Sequence, residues 1–459
     1  MEWCLLKQNI LKKIEPTISE EKNVKRFINA LLQKINNILE KAGIEGKAEI
    51  HGSIAHGTWI SGEQDLDIFI VLENKNRKLL HEVLNVIQKE IKGKYIEAYA
   101  EHPYLQSEID GFTIDFVPCF EINLGEGIIS ATDRTPLHSK YLEENLDDEK
   151  RREVRLLKQF TKGINVYGAE IKIGGFSGYL CELLILKHGT LWALLESSKN
   201  WEEGLCLNLT SEEAPDFGDP LVFIDPIDPS RNVASALDKE SFWTFIYAAE
   251  WFIQNPSEVF FFPKVDEISR SKLLKLLDNR GTDIVFLVVE EDNVDVPDVL
   301  YGILYKSRKG IEKAFEMGNF EVLKSGVWSN EVSKHIFIFE LQEANIPEVA
   351  KHYGPPGRFR KGSIDFIEKY LGSERVVSGP ALENDKWFVL KKRKYVDAID
   401  FLKEKLRDGG VGIGVSRPLS FRILKEYKLL LNREIEEYIT DDFTLYLHNF
   451  LKGRPVWLE

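Results

Sequence analysis

The chain has 459 residues, of which 43% are hydrophobic and 29% charged, and it carries a formal net charge of −14 at pH 7. This is the balance of a soluble globular protein too long for one core, and the length suggests three or four domains. No run of about eighteen apolar residues occurs and Met1-Glu2-Trp3-Cys4 lacks the basic-then-apolar order of a signal peptide, so a cytoplasmic location with no membrane partner is expected.

From the N-terminus, the apolar spacing of Phe27, Leu31, Leu32, Ile35, Ile38 and Leu39 predicts a helix from about Glu21 to Ala42. Residues 47–120 then read as strand, Gly52-Ser53 turn, strand, a helix from Leu79 to Ile91, and further strands, with Glu101-His102-Pro103-Tyr104 between two of them. Helical spacing returns over Glu153–Phe160 and Gly178–His188, the second preceded by the glycine-rich Gly174-Gly175-Phe176-Ser177. The Asp- and Pro-rich segment from Pro215 to Pro229 reads as a linker. A helix to about Phe252 follows it. Residues 282–290 and 335–341 read as strands around a Leu300–Met317 helix, a small α/β module closed by Pro355-Pro356-Gly357.

The chemistry concentrates early. Asp65 and Asp67, at the head of the apolar run Ile68–Leu72, sit two apart on a strand and therefore share a face, with Cα atoms roughly 6–7 Å apart. Two carboxylates on a strand buried on both sides are costly unless a cation joins them. Phe112-Thr113-Ile114-Asp115-Phe116-Val117 is a second β-rich run with one carboxylate in its middle and Pro118 at its end. Three such acids suit a two-metal site for phosphoryl chemistry. The Gly52-Ser53 turn lets backbone N–H groups and the Ser53 hydroxyl approach phosphate oxygens.

The cysteines, Cys4, Cys119, Cys181 and Cys206, contain no Cys-x-x-Cys pair, which argues against a zinc site or a disulfide framework. The acidic total repels polyanions at long range. Local basic clusters at Lys150–Arg155, Arg358-Phe359-Arg360-Lys361 and Lys391-Lys392-Arg393-Lys394 leave RNA binding open, because clustered cations rather than the total release counterions.

Gly-Ser, a short spacer, Asp-x-Asp and a later single Asp resemble the polymerase-beta-like nucleotidyltransferase superfamily. Within it, Tyr99–Tyr104, Asp115-Phe116-Val117-Pro118-Cys119, Asp133-Arg134-Thr135-Pro136-Leu137-His138, Glu153–Lys158, Tyr167-Gly168-Ala169-Glu170, Gly175–Leu183 and Arg231-Asn232-Val233-Ala234 look like motifs of the archaeal, class I CCA-adding enzymes, in family order. The match is dense over residues 45–240 and looser beyond.

The resemblance implies an α+β multidomain fold: a palm with a mixed sheet and helices, a helical neck, and two further α/β C-terminal modules. The implied division is 1–140 for the nucleotidyltransferase head, 141–225 for the nucleotide-binding neck, 226–262 with 373–459 for a body, and 263–372 for a tRNA-binding tail. It puts two Mg2+ ions on Asp65, Asp67 and Asp115, and CTP or ATP against Ser53, His56, His138, Lys158, Tyr167 and Arg231. It implies tRNA as partner, gripped by its acceptor and T arms, and often a homodimer. The family usually has arginine where this chain has His56, and a neutral imidazole cannot replace that bidentate fork. A poly(A)- or oligoadenylate-type polymerase, an antibiotic nucleotidyltransferase, or an RNA-binding protein with a retired catalytic fold are the competing readings.

Overall fold

The computed structural model describes residues 3–99, 103–122, 130–210, 215, 217–264, 268–291 and 296–458. The Tyr99–Tyr104 motif therefore lies partly outside the described residues, as does part of the Pro215–Pro229 segment. The chain divides into two compact units, residues 1–265 with 455–459, and residues 266–454.

In the first unit the helix Ile18–Ala42 opens on Thr17, whose hydroxyl accepts from Glu20 N–H while the Glu20 carboxylate accepts from Thr17 N–H. Gly43 ends it in the left-handed conformation. This helix and Arg77–Glu90 pack their apolar stripes on a five-stranded sheet with β1 (Gly46–His51), β2 (Asp65–Leu72), β3 (Tyr95–Tyr99), β4 (Pro103–Ile109) and β5 (Phe112–Phe120), in the order β1-β2-β5-β4-β3. β2 and β5 run parallel and the other pairs antiparallel. Ile68, Ile70 and Leu72 are buried on the helical face and Phe69 and Val71 on the other, as a strand covered on both sides requires. Pro118 does not close β5. It pairs beside Ile70, beyond Phe116, the last β5 residue registered with β4, where a missing N–H leaves no rung broken on that side.

The second half of this unit is helical. Trp3–Ile14, Asp148–Gly163, Gly178–His188, Leu191–Ser198 and Lys239–Gln254 surround a core in which Phe160 meets Phe245, Phe252, Phe260 and Phe261. The expected linker is part of this core. Its Leu221–Phe223 forms strand β7, parallel to β6 (Leu205–Leu207), and Leu221 and Phe223 are fully buried. Trp3–Ile14 and residues 239–254 both bury their apolar faces in the helical core.

In the second unit the sheet runs β14-β8-β10-β9, antiparallel throughout, from β8 (Asp283–Glu290), β9 (Val322–Ser329), β10 (Lys334–Leu341) and β14 (Lys428–Leu431). Val285, Leu287 and Val289 enter one core with the helix Pro297–Met317, and Ile284, Phe286 and Val288 enter another with Asp441–Lys452. Pro355-Pro356-Gly357 does not end a module. Val349–Pro356 is strand β11 of a three-stranded sheet, β11-β13-β12, with β12 (Val376–Glu383) and β13 (Lys386–Lys392), and the helix Arg360–Tyr370 packs on it.

Candidate active site

Register brings the three acids side by side. Asp67 pairs with Asp115 across β2 and β5, Asp65 precedes Asp67 by two residues, and all three therefore share one face of the sheet. Burial is the main force raising the pKa of each. For Asp67 the neighbouring charges of Asp115 and Asp65 add to it and push the carboxyl up to about 6, and Asp65 contributes likewise at Asp115. Gln106 Nε2 donates to Asp115 at 2.9 Å. Among the described residues no three donor side chains are gathered tightly enough to hold an ion as they stand. The chemistry of the three aspartates, hard oxygen donors whose charge is resisted by burial and by each other, fits a divalent cation.

The Gly52-Ser53 turn abuts this face. Gly52 has φ +70, and a Cβ there would fall 1.9 Å from Asp67 Oδ2. The short helix Gly52–His56 ends at Gly57 in the left-handed region, where a side chain would be strained. Its exit is braced from the helix Asp148–Gly163: Arg151 Nε donates to His56 O at 3.0 Å, and Arg155 donates to Trp59 O at 2.9 Å and Gly57 O at 2.7 Å. The basic run Lys150–Arg155 is thus committed inside the unit. Lys150 and Arg152 pair with Asp147 and Glu15.

A cleft of ≈ 410 Å³ opens from Gly52, Ser53 and Asp67 to His56, His138, Lys158, Tyr167 and Arg231, with Arg134, Thr135, Gly178, Tyr179 and Glu182 completing its wall. Lys158 is 1% exposed, and its Nζ donates to Thr58 Oγ1 at 3.2 Å. Tyr167 OH stands at the start of the helix Gly178–His188, where a Cβ on Gly178 would lie 3.3 Å from it and 3.6 Å from Lys158 Nζ. Burial raises the Tyr167 phenol, so it stays a hydrogen-bond donor. His56 is buried between Glu182, 3.1 Å from its Nδ1, and Ser139, 2.9 Å from its Nε2. Burial would raise the Glu182 carboxyl, but His56, Lys158 and the Thr58 hydroxyl, which donates at 2.6 Å, hold it below its ordinary value.

Two carboxylates that sequence reasoning did not single out organise this wall. Glu182 is the one charge between Gly178 and Ile185 in an otherwise apolar stretch, a signal that was available. Asp225, fully buried, lay in the supposed linker. Its Oδ2 accepts from His138 Nε2 and from Arg231 Nη1, both at 2.9 Å, and its Oδ1 accepts from Ile227 N–H at 3.0 Å. The phenol of Tyr179 donates to the same Oδ1 at 3.4 Å while its ring stacks on His138 at 4.3 Å. The helix bearing His138 is fixed to the end of β5 by buried Asp133, which accepts from Phe120 N–H and Ser130 N–H. Of the nine residues singled out by sequence, Ser53, His56, Asp67, His138, Lys158, Tyr167 and Arg231 line the cleft; Asp65 and Asp115 flank Asp67 on the sheet outside its lining.

A mixed sheet with three aspartates on one face, beside a Gly-Ser turn and a cleft furnished with lysine, arginine and tyrosine, is the arrangement of a nucleotidyltransferase. The nucleotidyltransferase domain family matches residues 32–138, the second domain of tRNA nucleotidyltransferases matches 152–262, and the C-terminal domain of CCA-adding enzymes matches 280–432. The CCA-adding enzyme of Pyrobaculum islandicum is 36% identical over 409 residues, covering 88% of this chain and 94% of that one. Those of Methanothermobacter thermautotrophicus and Methanosarcina barkeri are each 35% identical, covering 94% and 97% of this chain and 96% and 98% of theirs. The chain belongs to the CCA-adding enzyme family.

Proposed function

We propose that the chain adds C, C and A in turn to the 3′ end of tRNA, taking CTP and ATP and releasing pyrophosphate, without a nucleic-acid template and in the cytoplasm. The observation that carries this reading is the convergence of Ser53, His56, Asp67, His138, Lys158, Tyr167 and Arg231 on one cleft, in a chain of that family.

Asp65, Asp67 and Asp115 would hold magnesium, which when bound neutralises phosphate charge and acidifies the incoming 3′-hydroxyl. Asp115 orients that hydroxyl for in-line attack on the α-phosphorus, where an O–P bond forms as the bond to pyrophosphate breaks. Ser53 and Lys158 bind the triphosphate, Lys158 as a compact cation delivered from a buried stem. Tyr167 donates to ribose or phosphate, and His138 and Arg231 meet the base. His56 is tied to Glu182 and Ser139, so its contribution is one hydrogen bond and the shape of the turn rather than an arginine fork.

The tRNA arms fall to the second unit. There a groove of ≈ 880 Å³ is lined by Lys313, Lys351, Lys369, Arg375, Lys391–Lys394 and Lys405, which offsets locally the acidic total of the chain. Arg358 and Arg360 are exposed on the same unit.

The test is incubation with tRNA lacking its 3′ end and with each nucleotide alone and together. The reading expects C from CTP alone, a terminal A from ATP only after both C are in place, and then a stop. A long adenylate tail, or no RNA product, would overturn it.

A further inference from the structure

Thr58 is fully buried and stands where three elements meet. Its N–H donates to Ser53 O at 2.8 Å, which ties it back to the Gly52-Ser53 turn. Its hydroxyl donates to Glu182 Oε1, on the helix Gly178–His188, at 2.6 Å. Lys158, from the helix Asp148–Gly163, directs Nζ at both oxygens of the same residue, Oγ1 at 3.2 Å and the carbonyl at 3.3 Å. Glu182 is itself 3% exposed, on a helix whose Leu183, Leu184 and Ile185 are fully buried. Burial opposes its charge, but His56, whose Nδ1 lies 3.1 Å away, together with Lys158 and the Thr58 hydroxyl outweighs burial and holds the carboxyl below its ordinary value. The direction of each bond follows. An ionised carboxylate only accepts, so the single hydrogen of the Thr58 hydroxyl goes to Glu182 and the lone pairs of that oxygen are left for Lys158. An ammonium has three donors, and Lys158, anchored on Thr58, keeps one for the cleft it lines.

We propose that Thr58 and Glu182 are positioning residues that fix the distance between the Ser53 turn and the Lys158 ammonium, and with it the seat of the triphosphate. The inference rests on the function proposed above, in which Ser53 and Lys158 bind that group. Thr58 stands behind the lining of the cleft and acts without touching the nucleotide: its backbone holds Ser53 and its two oxygens hold Lys158. Glu182 decides which way the hydroxyl points. With that acceptor gone, the hydroxyl hydrogen is free to turn toward Lys158, where donor would face donor. A lysine stem that loses its anchor regains rotamers, and ordering it again for each nucleotide costs binding. The cost falls on the part of the substrate that CTP and ATP share, so both nucleotides lose affinity by one factor.

The test uses the full-length protein with tRNA lacking CCA or ending in CC, and reads initial rates against CTP or ATP together with inhibition by the product pyrophosphate. Thr58→Val keeps the shape without the hydroxyl, and Glu182→Met keeps the length without an acceptor. Each should raise KM for CTP and for ATP by about tenfold and by the same factor, and should weaken pyrophosphate inhibition to match. The kcat should stay within about threefold, as expected when ground-state and transition-state binding are lost together. Thr58→Ser and Glu182→Gln, which retain the hydroxyl and an acceptor for it, should stay within about threefold of wild type in KM. The double variant Thr58→Val/Glu182→Met should bind nucleotide no worse than the weaker single variant, because both act on Lys158 through one hydroxyl. A loss confined to kcat, a factor that differs between CTP and ATP, unchanged pyrophosphate inhibition, or equal losses in the conservative variants would overturn the proposal. Failure of the wild type to extend tRNA with CTP or ATP would instead overturn the parent reading. Every variant is checked for an intact melting transition, and the pair at either position decides the matter if the other does not fold.

Discussion

Gly52 and Asp67 share one small volume: at φ +70 the glycine turns its α-carbon toward the carboxylate, and a Cβ there would stand 1.9 Å from Asp67 Oδ2 and 2.9 Å from its carboxyl carbon. The Gly52-Ser53 turn and the acidic strand are therefore packed through hydrogen alone. Gly52→Ala must both adopt an unfavourable backbone and displace the carboxylate. The strain costs about 1–2 kcal/mol, so a melting curve should move by only several degrees. Nucleotide incorporation should fall by more than about a hundredfold, because the displaced group is one of the three acids. A variant within tenfold of wild type would show that Asp67 has room to move without consequence.

Arg155 makes a different kind of prediction. Its guanidinium, largely buried, donates to Trp59 O and Gly57 O just past the Gly52–His56 turn. Arg155→Met keeps the apolar stem and removes both donors, leaving buried carbonyls unmatched at a cost of about 2–3 kcal/mol. Chemical denaturation should register that loss. The KM for CTP should rise with it, because the turn that bears Ser53 loses its brace.

Acid should weaken the first unit through Asp225. Burial would raise that carboxyl, but the hydrogen bond and charge of His138, the Ile227 N–H and Arg231 outweigh it and hold the group at about 2. The folded value lies below the unfolded one, near ~3.9, so the stabilisation is complete above about pH 4 and is lost as pH falls toward 2. Its size is on the order of 2 kcal/mol. Urea melts of wild type and Asp225→Asn across this range should converge at low pH, with the variant less stable at pH 7 and flatter below pH 4. Parallel curves would remove Asp225 from the account of acid sensitivity.

The salt dependence of tRNA binding tests the basic groove. Replacing Lys391, Lys392, Arg393 and Lys394 together by alanine should weaken binding and reduce the slope of log K against log salt by about one unit for each phosphate left without its cation. Lys392 and Lys394 are also paired with Glu348 and Glu404, so the reduction should be smaller than four neutralised phosphates would give. An unchanged slope would move the tRNA-binding surface elsewhere.

What could be read beforehand followed from periodicity. The alternation at Asp65-Leu66-Asp67 and the apolar run behind it were legible because burial on a regular element writes itself as spacing. Asp225 was not, because Asp and Pro mark turns whether or not the turn is buried, and only tertiary packing reveals that Leu221 and Phe223 sink into a core there. The Lys150–Arg155 run failed similarly: a row of cations looks the same from sequence whether it faces solvent or carbonyl groups of a turn nearly a hundred residues away. Strands β11 and β12 were hidden by being half-exposed and interrupted by Pro and Gly. The helix Trp3–Ile14 carries a mixed pattern whose buried residues, Leu6, Ile10 and Ile14, acquire meaning only against the distant helical core.

The most direct measurement is single-turnover CMP addition to tRNA lacking its CCA end, in magnesium, by Asp65→Asn, Asp67→Asn and Asp115→Asn, each checked for an intact melting transition. The account predicts a loss of at least about a thousandfold in all three, since each substitution would remove one of the proposed charged metal ligands at no cost in shape. Any one of them retaining a rate within tenfold of wild type would contradict it.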